Sequence, residues 1–200
     1  MEIITTHTNV YPFSELSEDA KERAIQQQTE YADADFFSND SEFVIYDIKN
    51  TGKLLGFDID NVYFSGFNSQ GDGACCEGSY SYRKKSVEII KAEYPQDDEL
   101  HQIVKAFADL QKRNFYGLTA DIKHRGHHYH ELCTAIDVSH NDDREISLND
   151  EDELCELLYD FMIWGYKRLN DDYDYRLNEE GLIDTIEANE YIFTADGQLF

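Results

Sequence analysis

Apolar residues in this chain recur with two different periods, and the alternation between those periods limits the fold more than any other feature. Leu100, Ile103, Val104, Phe107 and Leu110 are spaced three and four residues apart, which places them on one face of an α-helix. Leu154, Leu157, Leu158, Phe161, Met162 and Leu169 hold the same spacing within a helix over 150–169. Between such stretches lie segments dense in β-forming residues. Phe57 to Phe67 is one. Leu118 to His124 alternates, as does His128 through Val138, with Arg125-Gly126-His127 between them, and this pattern predicts a β-hairpin. Helical and extended segments interleaved in this way give an α+β fold, a small and mostly antiparallel sheet with helices packed against it.

End signals fill in the remaining elements. Ser17 caps a helix over 17–25 whose first turn carries Glu18 and Asp19. A second helix is predicted over 34–55, with Phe37, Val44, Ile48 and Leu55 on one face and Gly56 as its stop. Further helices are expected over 83–93, 97–114 and 179–188, and a last strand over 191–193. Gly71, Gly73 and Gly78 make 68–78 a loop. No repeat and no Pro- or Gly-rich linker divides the chain, so residues 1–200 read as one domain. Aromatics make up 14% of the residues, enough burial to offset the entropy of ordering.

Charge restricts the partners. Forty-two Asp and Glu face 17 Lys and Arg, for a net charge of −25. The excess sits in residues 1–60 and 137–200, whereas 61–136 is near neutral. Such a field repels nucleic acid and anionic membrane and attracts cationic protein surfaces. It also exceeds what solubility requires and destabilises the compact state by self-repulsion. No apolar run is long enough to span a bilayer. The first seven residues lack the basic start and apolar core of a signal peptide. Cys75, Cys76, Cys133 and Cys155 do not form a disulfide framework. Together these features predict a cytoplasmic protein with reduced thiols.

Three groups of residues are candidate sites. The acids Asp142, Asp143, Asp171, Asp172 and Asp174 fall in expected loops and are the leading candidates for a partner-binding surface. The loop residues Ser69, Gln70, Gly71, Asp72 and Gly73 could bring backbone amides to a ligand, but no Lys-Ser/Thr follows as a phosphate loop requires. A structural turn capped by its own polar side chains explains the same residues. His124, His128 and His130 are weak metal candidates: on paired strands they could face one another, but no paired cysteines accompany them. No cofactor is expected. Cys75 or Cys76 as a nucleophile would need an oriented histidine, and no local signature supplies one. Arg83-Lys84-Lys85 and Lys123-His124-Arg125 read as partners of the acidic flanks or as solvated ends, since the net field opposes any polyanion.

Four stretches carry a family resemblance. They are Tyr11 through Ala24, Ile59 to Gly78 with its Ser-Gly-Phe-Asn-Ser-Gln-Gly-Asp-Gly core (Ser65 to Gly73), Leu118 to Asp137, and Ala188 to Thr194. Together they resemble a phage and prophage family whose members are labelled antitoxin of a toxin–antitoxin stability system. The family commonly has an aromatic near the position of Cys76, so the doubled cysteine is a departure. The resemblance implies a binding protein from a mobile element and brings no catalytic residues. With the charge, it leads to a non-enzymatic phage-type inhibitor that occludes a basic, nucleic-acid-binding host protein, a DNA mimic with an anti-defence or toxin-neutralising role. Two alternatives stand beside it: an antitoxin held to one cognate toxin by a hydrophobic interface, and an enzyme working through a metal or the Gly-rich loop.

Overall fold

A computed structural model describes residues 7–200; the signal-peptide reading concerns residues that, apart from His7, lie outside these. The fold is α+β. In chain order the elements are β1 (Tyr11–Pro12), α1 (Glu18–Asp35), a π-helical turn (Phe36–Asp40), α2 (Ser41–Leu55), β2 (Phe57–Phe64), β3 (Ala74–Ser81), α3 (Ser86–Glu93), α4 (Asp98–Arg113), β4 (Leu118–His124), β5 (Thr134–His140), α5 (Leu148–Leu177), α6 (Glu179–Ala188) and β6 (Ile192–Phe193). Contacts divide the chain into two compact units. One joins the two chain ends, up to Ser41 and from Asp171; the other is Glu42–Asn170.

The central unit holds an antiparallel sheet in the order β2-β3-β4-β5. Alternation puts Phe57, Ile59, Cys76, Tyr80, Leu118, Ala120 and Ile122 in the core, while Asp58, Ser79, Asp121, Lys123, Asp137 and Ser139 are exposed. Helix α4 buries its predicted stripe, with Tyr80 and Phe107 rings 4.9 Å apart. Phe161 of α5 packs on Phe57 at 5.9 Å, and α5 approaches α2 closely where Gly165 faces Ile48. Buried Gln111 completes the polar accounting: its amide donates to the Leu118 carbonyl (2.7 Å) and accepts from the Leu118 N–H (3.2 Å). The Trp164 indole donates to Asp97, which also caps α4 through the Leu100 N–H.

In the chain-end unit, Phe13, Leu16, Ala20, Ala24, Ile186 and Phe193 form the core. β1 pairs antiparallel with β6. Ser17 caps α1 and Asn178 caps α6, each accepting from the N–H three residues on.

Several expected boundaries move. Helix α1 does not end near Ile25 but runs to Asp35 and passes through the π turn into α2. Gln26 to Ala32 contains helix formers without an apolar stripe, so periodicity gave no sign of it. The loop after β2 ends at Gly73 rather than Gly78. Gly78 lies inside β3 at φ +152°, where a Cβ would sit 2.0 Å from the Asp58 carbonyl oxygen beside a register shift in β2. There the glycine marks a close backbone approach and not a loop. β5 starts at Thr134, so His128 and His130 lie in the connection before it and not on a strand. Asp171, Asp172 and Asp174 are helical, not in a loop, because α5 continues to Leu177. Among the described residues, no helix is long and apolar enough to cross a membrane.

Candidate functional site: a carboxylate surface and a self-plugged glycine loop

The loop between β2 and β3 reverses direction with glycines at φ +143° (Gly66) and φ +96° (Gly71). Such a turn leaves backbone amides pointing inward, an arrangement that attracts an anion. Here the anion is the protein's own. The Asn68 and Ser69 N–H groups converge on Asp72 Oδ2 at 3.0 and 2.7 Å, and the Ser65 hydroxyl donates to Asp72 Oδ1. The Tyr166 hydroxyl donates to the Gly66 carbonyl and ties the loop to α5. The loop is thus the internally capped turn that its Asn, Ser and Asp content allowed. Ser69, Gln70 and Gly71 are exposed at its tip, and Gly73 is buried at its base.

The structure brings this loop against the histidine-bearing connection 125–133, which the sequence did not indicate. A Cβ on Gly73 would lie 2.6 Å from the His130 Cβ, and one on Gly71 would meet the His128 ring at 3.8 Å. His124 Nε2 bonds the His128 carbonyl (2.9 Å), and His130 Nε2 lies 3.3 Å from Cys133 Sγ. The histidines therefore hold the connection in shape. Among the described residues, no three His, Cys, Asp or Glu side chains gather as a metal site.

Beneath this connection lies a cluster that sequence reasoning missed. Glu77 accepts from the Tyr63 hydroxyl (2.8 Å), the Asn61 amide and the His124 N–H. The Tyr63 bond leads in holding the Glu77 carboxyl below its usual range, against the opposing effect of burial. Tyr63 and Tyr129 stack at 5.6 Å, and His124 packs on both. The signal was cross-strand pairing, Asn61 opposite Glu77, and reading it requires the register. Burial, followed by neighbouring Cys133, pushes the Cys75 thiol up to about 12, and burial raises that of Cys76 as well. Neither thiol is a thiolate at neutral pH, so neither is primed as a nucleophile.

The acidic candidates are divided between the two units. Asp142 and Asp143 lie exposed in the turn after β5, where the Asp142 carboxylate pairs with Arg144 at 3.4 Å and Asp143 takes a left-handed φ of 54°. Asp171 and Asp174 are exposed on α5, whereas Asp172 is half-buried and bound to Arg176 at 2.7 Å. Arg176 also pairs with Asp40. The basic residues of the middle are partly used within the fold: Arg113 joins Asp150 and Glu153, and Arg83 donates to the Lys53 carbonyl; farther along the chain, Lys167 joins Glu99.

The chain-end unit carries the higher charge density, 18 acids against 3 bases. Three hollows on it, of about 330, 480 and 830 Å³, all have carboxylates among their lining residues.

A family model described as a domain of unknown function (DUF8835) matches residues 41–179. The chain belongs to the DUF8835 family. No curated protein and no solved structure matches it. The DUF8835 match takes in the whole sheet-bearing unit and the tail of α5. α1 and nearly all of α6, which carry much of the chain-end acidity, lie outside the matched residues.

Proposed function

We propose that this protein is a phage-type acidic inhibitor that acts in the bacterial cytoplasm by occluding the nucleic-acid-binding surface of a basic host protein or toxin. The observation that carries this reading is the segregation of charge: the chain-end unit holds 18 acids and 3 bases. One of those bases, Arg176, is already engaged by Asp40 and Asp172. Self-repulsion of that size has a cost in stability, and a cationic partner would relieve it. Carboxylates spaced over helices then stand in for phosphates, steer association and release on salt addition. No catalytic step is part of this reading.

The test is capture of the partner from host lysate, followed by its association rate at rising ionic strength and by competition with the partner's own nucleic acid. Asp142, Asp143 and Asp171 changed together to Asn form the informative variant. All three are exposed, and only the exposed Asp142–Arg144 pair is given up with them, whereas Asp172→Asn would break the half-buried Arg176 pair. Association should slow with salt and the variant should bind more weakly. Salt-independent binding that the variant retains in full would sink the mimic reading.

A hydrophobic antitoxin-like interface is the second reading, favoured by one feature. Phe115 and Tyr116 are 74% and 45% exposed and both adopt left-handed backbone, with φ of 53° and 62°. Bulky residues held in that conformation at the surface are strained, and strain of this kind gathers at functional positions. Under this reading Phe115→Ser abolishes partner binding that the three-Asn variant keeps.

A further inference from the structure

The 830 Å³ hollow of the chain-end unit combines three features. One face of α1 contributes Tyr31 and Asp35, the end of α5 contributes Tyr175, and α6 contributes Asp184. Tyr31 and Tyr175 are 55% and 70% exposed, so both rings are open to a ligand. Asp184 is exposed and has no ion-pair partner among the described residues. The wall also holds Arg176 with Asp40, a guanidinium already seated among carboxylates.

We infer that this groove is a receptor for arginine side chains on a basic segment of the partner, with guanidinium groups stacking on Tyr31 and Tyr175 while Asp35 and Asp184 take their N–H groups. Charge complementarity selects the occupant. An anionic or purely apolar segment would leave Asp184 without a cation, and Asp35 with the neutral Asn39 amide as its donor, in a unit that already carries a large negative excess. Arginine is selected over lysine because its planar, weakly hydrated guanidinium stacks on aromatic faces and forks onto carboxylates. The inference rests on the acidic-inhibitor reading and gives it a position and a specificity.

The test titrates the full chain with an oligo-arginine peptide and an oligo-lysine peptide of equal length, by fluorescence anisotropy at low and moderate salt. Wild type should bind the arginine peptide saturably and more tightly than the lysine peptide. Each ring removed should cost about two- to fivefold, so Tyr31→Ala with Tyr175→Ala should weaken arginine binding several-fold and erase the preference for arginine. Tyr31→Phe with Tyr175→Phe keeps both rings and should bind as wild type, which controls for folding. Asp121→Asn with Asp137→Asn, exposed and in the other unit, should change nothing. If the double alanine variant binds the arginine peptide as wild type does, the groove is not the receptor, and a diffuse acidic surface remains. If wild type binds neither peptide at low salt, the reading of a cation-seeking surface fails along with the groove. Displacement of the peptide by self-association of the chain would assign the groove to a second copy and overturn the inference.

Discussion

Replacing Asp72 with Ala removes one carboxylate and leaves two backbone amides without an acceptor. Asn68 and Ser69 donate to the same oxygen at 3.0 and 2.7 Å, with Ser65 as a weaker third donor at 3.3 Å. A side-chain oxygen capping amides at a helix start contributes about 0.5–2 kcal/mol, and bonds to a charged acceptor stand at the upper end of the net range. Asp72 is half-buried, so water takes over part of the role. Asp72→Ala should therefore cost about 2 kcal/mol in urea denaturation with an unchanged m-value, and Asp72→Asn, which keeps one acceptor oxygen, should cost less. The vacated amides form an anion site, so sulfate should raise the melting temperature of the Ala variant more than that of wild type. Because sulfate also stabilises proteins in general, the difference between the two proteins is the readout. A loss within about 0.5 kcal/mol, the range of ordinary surface changes, or an equal sulfate response in both, would refute the view that Asp72 plugs the loop.

Three further outcomes follow from the packing. Cys133 and Cys155, half-buried, should react with a thiol reagent in the native protein before Cys75 and Cys76, and denaturation should expose all four at once. Glu77→Gln should lower stability at neutral pH and flatten its acid dependence. A carboxyl whose folded pKa is depressed adds stability above its unfolded value of about 4.3, and that stability disappears as pH falls through the lower folded value; an acid limb unchanged in the variant would contradict this. Gly78→Ala forces a Cβ into the Asp58 carbonyl and should destabilise by on the order of 3 kcal/mol, read as a lower denaturation midpoint.

The sequence carried the elements whose faces differ most in polarity. Helix α4 was legible to within a residue because its apolar stripe agrees with the acids at its start and with Lys112 and Arg113 at its end. The middle of α1 and the tail of α5 were not, since neither carries a strong apolar stripe. The tail of α5 is held by ion pairs such as Asp172–Arg176, and the middle of α1 joins helical turns without a break. The β4–β5 hairpin that the alternation predicts is present, but its second strand starts at Thr134 and not at His128, because the His side chains of the connection bond locally instead of extending the ladder. The site showed the same division. The loop's capping chemistry could be inferred from Asn, Ser and Asp spacing. Its meeting with 125–133, the Glu77 cluster and the groove between α1 and α6 all depend on contacts between residues far apart in sequence.

That meeting limits how the two segments can vary. Gly73 leaves a space that His130 fills with its own Cβ, 2.6 Å from where a side chain on Gly73 would begin. A larger residue at 73 is therefore tolerable only if the backbone at 130 shifts, because the His130 Cα would lie 2.8 Å from the new Cβ even with the side chain removed. Selection acting on either segment acts on both. In a suppressor screen that starts from Gly73→Ala, the compensating changes should fall in 125–133, more than fifty residues away in sequence, and not in the loop that was damaged.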